Sequence, residues 1–386
     1  MLANVEDYRR AAQRRLPRFL FDYIDGGALS EATLRSNVED FGSLALRQRV
    51  LRDIGEVSLE TQLMGQKVSA PFALAPVGLA GINARRGEVQ AAKAADAFGV
   101  PFCLSTVSLC TVEEVVAAGA SPPWFQLYMI RDRGFLRDML GRAWAAGCRT
   151  LVFTVDMPTP GLRYRDKRSG LSGGGAIARQ IRRMSQALIR PAWCWDVGVL
   201  GRPHTLGHVA SVLGDAAGIE QFWGWMADNF DPTVTWRDLD MVREAWPGSI
   251  VIKGIMDPDD AREAVAFGAE GIVVSNHGGR QLDGAPSTIR ALGPVARAAG
   301  GRTTILMDGG VRSGTDVVRA MAAGADGVLL GRAWVYGLAA RGGRGVEEVL
   351  QIIAAEACLT LALTGCRSVA DVNPSLLIDG DFARGG

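Results

Sequence analysis

FGAEGIVVSNHGGRQLD, residues 267–283, carries the first clear reading of the fold. Phe267-Gly268 closes a helical pattern, Gly271-Ile272-Val273-Val274 is an unbroken apolar run, and a glycine loop with His277 and Arg280 follows. A second unit repeats the phrase. AGADGVLLGR, residues 323–332, again ends a helix at glycine, turns and enters an apolar run. Strands apolar on both faces belong to parallel sheets covered by helices. Working outward, runs of this kind occupy Pro71–Ala75, Pro101–Ser105, Trp124–Tyr128, Thr150–Val155, Ser249–Lys253, Gly271–Ser275, Thr303–Met307 and Gly327–Leu330. Eight strand–helix units predict an α/β fold, a (β/α)8 TIM barrel, with an open doubly wound sheet as the alternative.

The rest of the chain is organised around that repeat as one domain. Residues 1–70 open with a helical segment that covers part of the barrel, residues 71–366 form the barrel, and residues 367–386 form a tail. Between the fourth and fifth strands lies an insertion, 157–248, far longer than an ordinary connection. Its SGLSGGG stretch, 169–175, is expected to be mobile. Beyond it, Ile177, Ile181, Met184 and Leu188 share one helical face, accompanied by Arg179, Arg182, Arg183 and Arg190 and followed by Trp193 and Trp195. That pattern predicts a helix lying on a membrane surface, or else a face packed on the barrel or a neighbouring subunit.

Composition narrows the function classes. A net charge of +1 gives no reason to expect nucleic acid. No apolar run is long enough to span a bilayer, and the charged start does not read as a signal peptide, so a cytoplasmic protein with at most peripheral membrane contact is expected. The six cysteines show no CxxC spacing and read as buried thiols in a reducing compartment. His204 and His208 are four apart, yet Pro203 and Gly207 interrupt a helix there, so no metal site is expected. The absence of a strand–GxGxxG–helix unit argues against a nicotinamide-binding Rossmann fold.

The active site of such a barrel lies at the C-terminal mouth. Polar residues collect there: the third strand ends with Gln126 and Tyr128, the fourth with Thr154 and Asp156, the fifth with Lys253 and the sixth with His277, and the loop after the fourth supplies Arg163. Strand residues two apart point the same way, so each pair can face one ligand. Asp308-Gly309-Gly310-Val311-Arg312 and Gly331-Arg332 follow the last two strands, where glycine loops and helix starts cradle phosphate.

SNHGGRQLDG, FTVDMP, WFQLY, APVG and DGGVRSGTDV together resemble the FMN-dependent 2-hydroxy-acid dehydrogenase and oxidase family, and the segments 19–28, 84–93, 154–161, 195–198 and 201–204 resemble its bacterial respiratory L-lactate dehydrogenase branch. The resemblance runs from Val5 to Cys366. It implies FMN as cofactor, L-lactate oxidation, a quinone acceptor and a homotetramer. It also implies roles: His277 as base, Asp156 as its partner, and Arg163, Arg280, Tyr23 and Tyr128 on the substrate. Ala75, Pro76, Val77, Gly78, Ser105, Gln126, Thr154 and Lys253 would surround the flavin ring, and Asp308, Gly309, Gly310, Arg312, Gly331 and Arg332 the rest of FMN. Glycine at 78, with no Cβ, would leave room near the ring and favour a quinone over oxygen. Mandelate or another larger 2-hydroxy acid, or an oxygen-using oxidase, are rivals within the family. A flavin-free phosphate-metabolite barrel and a non-catalytic membrane-associated barrel are rivals from other classes.

Overall fold

A computed structural model describes residues 2–201, 207–214, 221, 224–225 and 228–378. Eight parallel strands, β1 (Phe72–Leu74), β2 (Cys103–Ser105), β3 (Trp124–Tyr128), β4 (Thr150–Thr154), β5 (Ser249–Ile255), β6 (Gly271–Val274), β7 (Thr304–Met307) and β8 (Gly327–Leu330), pair in sequence order. The sheet closes through a parallel bridge between Leu74 and Phe102, where the Leu74 N–H donates to the Pro101 carbonyl at 2.9 Å. The open sheet is therefore excluded. β1 and β2 start later than the apolar runs because Pro71 and Pro101 have no N–H for a ladder. β5 runs two residues past Lys253, with its register broken at Gly254. A Cβ on Gly254 would stand 2.6 Å from the Asp156 Cβ, so glycine lets the two strand ends approach.

Side-chain alternation explains why this barrel has a dry centre and a polar mouth. Ala73, Cys103, Trp124, Val152, Val251, Val273, Leu306 and Leu329, one from each strand, form a buried cluster inside the barrel. Two residues further along each strand direction lie Ala75, Ser105, Gln126, Thr154, Lys253, Ser275, Asp308 and Gly331. A period of two therefore carries the same inward face from core to site.

The N-terminal region covers both ends. A hairpin, Thr61–Leu63 with Gln66–Val68, puts Leu63 and Val68 into the interior cluster, with Leu63 against Gly327 at the start of β8 and Met64 of its turn against Gly271 at the start of β6. The helix Arg18–Asp25 brings Tyr23 to the mouth. In the tail, Leu377–Ile378 pairs with Ala45–Leu46.

In the insertion, SGLSGGG is partly built in: Ser169 and Leu171 are buried, and the Leu171 N–H donates to the Asp166 carbonyl at 2.9 Å. The helix Ala176–Leu188 buries none of its residues; Ile177 is 77% and Leu188 75% exposed. The apolar face does not pack on its own barrel. His208 is a core residue whose Nε2 accepts the Val112 N–H at 2.8 Å, and burial lowers its pKa to about 4. His204 lies outside the described residues.

Candidate active site

His277 sits at φ 57°, the left-handed region, which costs a residue other than glycine roughly 1–2 kcal/mol. Hydrogen bonds hold it there. Its N–H donates to Ser275 Oγ at 3.1 Å, and its Nδ1 lies 2.8 Å from Asp156 Oδ1. With Asp156 ionised, Nδ1 carries the proton and the Nε2 lone pair is available to the cavity that His277 lines.

Beneath the imidazole, Lys253 is buried. Its Nζ donates to Ser275 Oγ at 2.8 Å and lies 3.0 Å from Asp308 Oδ2 and 3.8 Å from Asp156 Oδ2. Burial works against its charge, but Asp308 and Asp156 hold its pKa above the ordinary lysine value. Burial also works against the Asp156 charge, and His277 and Lys253 outweigh it, keeping that carboxyl below its usual range. Two carboxylates against one ammonium leave one negative charge.

Arg280 Nη1 donates to the Tyr23 and Gly26 carbonyls at 2.6 and 2.8 Å, at the C-terminal end of the helix Arg18–Asp25. Carbonyls at a helix end attract a cation without cancelling its charge. Among the described residues Arg280 forms no salt bridge, and burial together with the Arg163 charge lowers its affinity for its proton. A guanidinium nevertheless stays charged in a protein. A half-buried cation with no ion-pair partner of its own is a site for an anion. Arg163 stands nearby, 2.7 Å from Asp166 Oδ2, and both guanidinium carbons lie within 6 Å of the Tyr23 ring centre, at 5.8 and 5.1 Å. Tyr128 closes the side, its pKa raised by burial and by Asp156.

Ala75, Pro76, Val77, Gly78, Thr154, Lys253, Asp308, Gly309, Gly310, Arg312, Gly331 and Arg332 line the same cavity, which encloses about 1340 Å³ including its mouth. Several details fit FMN. Asp308 Oδ1 is buried with no partner among the described residues. Gly309 and Gly310 both have positive φ, and a Cβ on Gly310 would stand 1.8 Å from the Asn37 carbonyl oxygen. The helix Arg332–Arg341 begins with no side-chain cap, as a phosphate-binding helix start should.

The placement of other residues differs from the expectation. The start of the helix Gly314–Ala322 is already satisfied, because Asp316 accepts from the Arg312 and Ser313 N–H groups and Glu356 from that of Gly314. Arg332 directs Nε and both terminal nitrogens to the carbonyls of Ile24, Gly278 and Gly26. Ser105 donates to Gln126 at 3.0 Å and Gln126 to Thr154 at 3.1 Å; of the three, Thr154 lines the cavity. The room expected beside Gly78 is taken by Val107, whose Cγ2 would be 2.5 Å from an added Cβ.

Other residues supporting the site had not been singled out. Asn276 exchanges two 2.9 Å amide bonds with Asn37. Gln281 donates to the Asp156 and Thr159 carbonyls, both at 3.0 Å, and accepts the Gly161 N–H at 2.9 Å, tying the His277 loop to the β4 loop. Asp283 accepts from the Ser30 and Thr33 N–H groups. Their place in the glycine loop was the available signal. Met157 and Phe230, which wall the cavity from the insertion, stand in no motif that would have marked them.

Comparisons with known proteins agree with this geometry. The family model for FMN-dependent dehydrogenases matches residues 12–379. The chain is 59% identical over 379 residues to an L-lactate dehydrogenase of Caulobacter vibrioides (strain NA1000 / CB15N), covering 98% of each chain. It is 56% identical over 379 residues to an L-lactate dehydrogenase of Acinetobacter baylyi, again covering 98% of each. Among solved structures, the monotopic membrane protein (S)-mandelate dehydrogenase superposes with a TM-score of 0.91 at 35% identity, over 98% of this chain and all of that one. A full-length match to the family model, joined to a His277–Asp156 dyad above a phosphate-ready barrel mouth, leads to one conclusion: this chain belongs to the FMN-dependent dehydrogenase family.

Proposed function

We propose that the chain oxidises L-lactate to pyruvate and passes the electrons to a quinone at a membrane surface. The observation that carries the reading is the half-buried Arg280 guanidinium, without a salt bridge among the described residues, in the same cavity as the His277–Asp156 dyad. Arg280 and Arg163 hold the substrate carboxylate, and Tyr23 and Tyr128 offer hydroxyls to its polar atoms. His277 Nε2 takes the hydroxyl proton, and Asp156 stabilises the resulting imidazolium. FMN supplies the two-electron acceptor when bound. Lys253 provides a positive charge at the cavity floor, suited to charge that develops during oxidation. Val107, Tyr128, Met157 and Phe230 crowd the remaining wall and favour a methyl-sized side chain over a phenyl ring. The relatives named L-lactate dehydrogenase support that choice over mandelate.

Membrane contact is supported by the exposed face of Ala176–Leu188 and by the monotopic character of the mandelate enzyme. Among the described residues no helix is long and apolar enough to cross a membrane. A homotetramer is part of the same proposal, with the exposed Leu359 and Leu363 as contact residues; a monomer in sedimentation velocity would remove it. The decisive experiment is anaerobic reduction of the bound flavin by a panel of 2-hydroxy acids, followed by reoxidation with a soluble quinone or air. L-Lactate should bleach the flavin fastest, and the quinone should restore it faster than air. Equal rates with air would make the protein an oxidase, and no bleaching by any 2-hydroxy acid would refute the reading.

A further inference from the structure

Beside the reaction cavity lies a second cavity of about 910 Å³, its mouth included. Tyr128, Thr154, Met157 and Phe230 belong to the walls of both. Phe230 is buried and stands edge-on to Tyr128, ring centres 5.3 Å apart. Its backbone is pinned on both sides. An antiparallel bridge joins it to Ile130, the Arg131 N–H donates to the Asn229 carbonyl at 2.9 Å, and Asp231 pairs with Arg133 at 2.6 Å. A ring held in this way is a fixed wall rather than a swinging one.

We propose that Phe230 and Met157 form the partition that restricts this enzyme to short 2-hydroxy acids, and that the chamber behind them accepts a longer aliphatic tail once the partition is opened. The inference rests on the reading of the chain as a 2-hydroxy-acid dehydrogenase. Val234, Trp236, Leu239 and Ile255 give the chamber an apolar side, facing a polar one that includes Asp231, Thr235 and Asp260. The chamber offers nothing to a negatively charged tail: Arg133 is already paired with Asp231, and Asp260 stands among the further acidic groups Asp257 and Glu263. The ligand class is therefore a straight-chain 2-hydroxy monocarboxylate, and a 2-hydroxy dicarboxylate is excluded. A methylene moved from water into such a chamber improves binding about fourfold.

The test compares the holoenzyme with Phe230→Ala and Met157→Ala on L-lactate, L-2-hydroxybutyrate, L-2-hydroxyhexanoate and L-2-hydroxyglutarate. Dissociation constants of the matching 2-oxo acids, read from the flavin spectrum, give a measure independent of turnover. Opening the partition should raise kcat/KM for the six-carbon acid relative to L-lactate at least tenfold, tighten the six-carbon 2-oxo acid in parallel, and leave the dicarboxylate unimproved. Val234→Trp, which narrows the chamber alone, should leave L-lactate turnover unchanged and abolish the gain when added to Phe230→Ala. If Phe230→Ala fails to fold, Met157→Ala reads the same partition. An unchanged chain-length profile in the folded variants, or a gain that survives Val234→Trp, overturns the proposal. Wild-type enzyme that oxidises no 2-hydroxy acid would instead overturn the functional reading, while 2-oxo-acid binding would still report on the partition.

Discussion

The loop Ser275–Asp283 and the helix Ala176–Leu188 both follow the barrel's own strands, and they are finished in opposite ways. In the loop, Ser275, Asn276, His277, Arg280, Gln281 and Asp283 all have partners within the chain. In the helix, Ile177, Ile181, Met184 and Leu188 are all more than half exposed. Burying such a side chain is worth about 1.5–3 kcal/mol, so the stripe holds back a large stabilisation that folding does not collect. The loop is organised by the protein itself, while the helix face is left open by its own fold.

If the loop is the reacting half, its base should matter most. His277→Gln should retain FMN and slow substrate-driven flavin reduction by about 10²–10⁴, the usual range for a general base. Anaerobic stopped-flow absorbance reads this directly, and reduction at the wild-type rate would remove His277 from the chemistry. Arg280→Lys should come next. An ammonium keeps the charge but cannot offer two parallel donors to a carboxylate, and a charge-assisted hydrogen bond is worth about 1.5–3 kcal/mol. The expected result is a KM for L-lactate raised about 10- to 100-fold; an unchanged KM would mean that the guanidinium does not meet the substrate.

The helix is tested without touching the chemistry. Ile181→Glu with Leu188→Glu should reduce binding to anionic vesicles at least tenfold in flotation, from the apolar burial lost, and leave soluble-acceptor turnover as in the wild type. A protein that never floats at low salt, but whose oligomer dissociates in the double variant, would assign this face to a neighbouring subunit.

The same contrast explains what was legible in the sequence. The barrel could be read because its eight apolar runs repeat locally, and the mouth because Thr154, Asp156 and Lys253 lie on strand ends whose direction is set by a period of two. Contacts across long separations were harder. Gln126 and Thr154 are legible as mouth residues and Ser105 follows only from the resemblance, but that the three bond to one another is not legible. The Ser313-Gly-Thr-Asp316 spacing is a capping box that marks one of the two helix starts expected to hold phosphate as satisfied, whereas Glu356, far along the chain, carries no such signal. Phe230 was invisible because its place depends on the return of an irregular insertion to Ile130, a pairing with no local periodicity.

Gly78 gives the smallest and most discriminating test, since the sequence suggested open space there and the structure places Val107 in it. An added Cβ would stand 2.5 Å from Val107 Cγ2 and 3.7 Å from the Tyr23 hydroxyl. Forcing a methyl group into packed surroundings costs about 1–3 kcal/mol, so Gly78→Ala should lower kcat/KM for L-lactate several-fold by displacing Val107 toward the substrate. Adding Val107→Ala should restore most of that loss. The variant should also react faster with oxygen after anaerobic reduction, and the double variant identifies the cause. A fast oxygen reaction that persists in Gly78→Ala/Val107→Ala belongs to the new methyl group itself, whereas one that reverts belongs to the displaced valine. If Gly78→Ala changes neither rate, residue 78 has no part in acceptor choice, and the preference for quinone over oxygen must come from elsewhere.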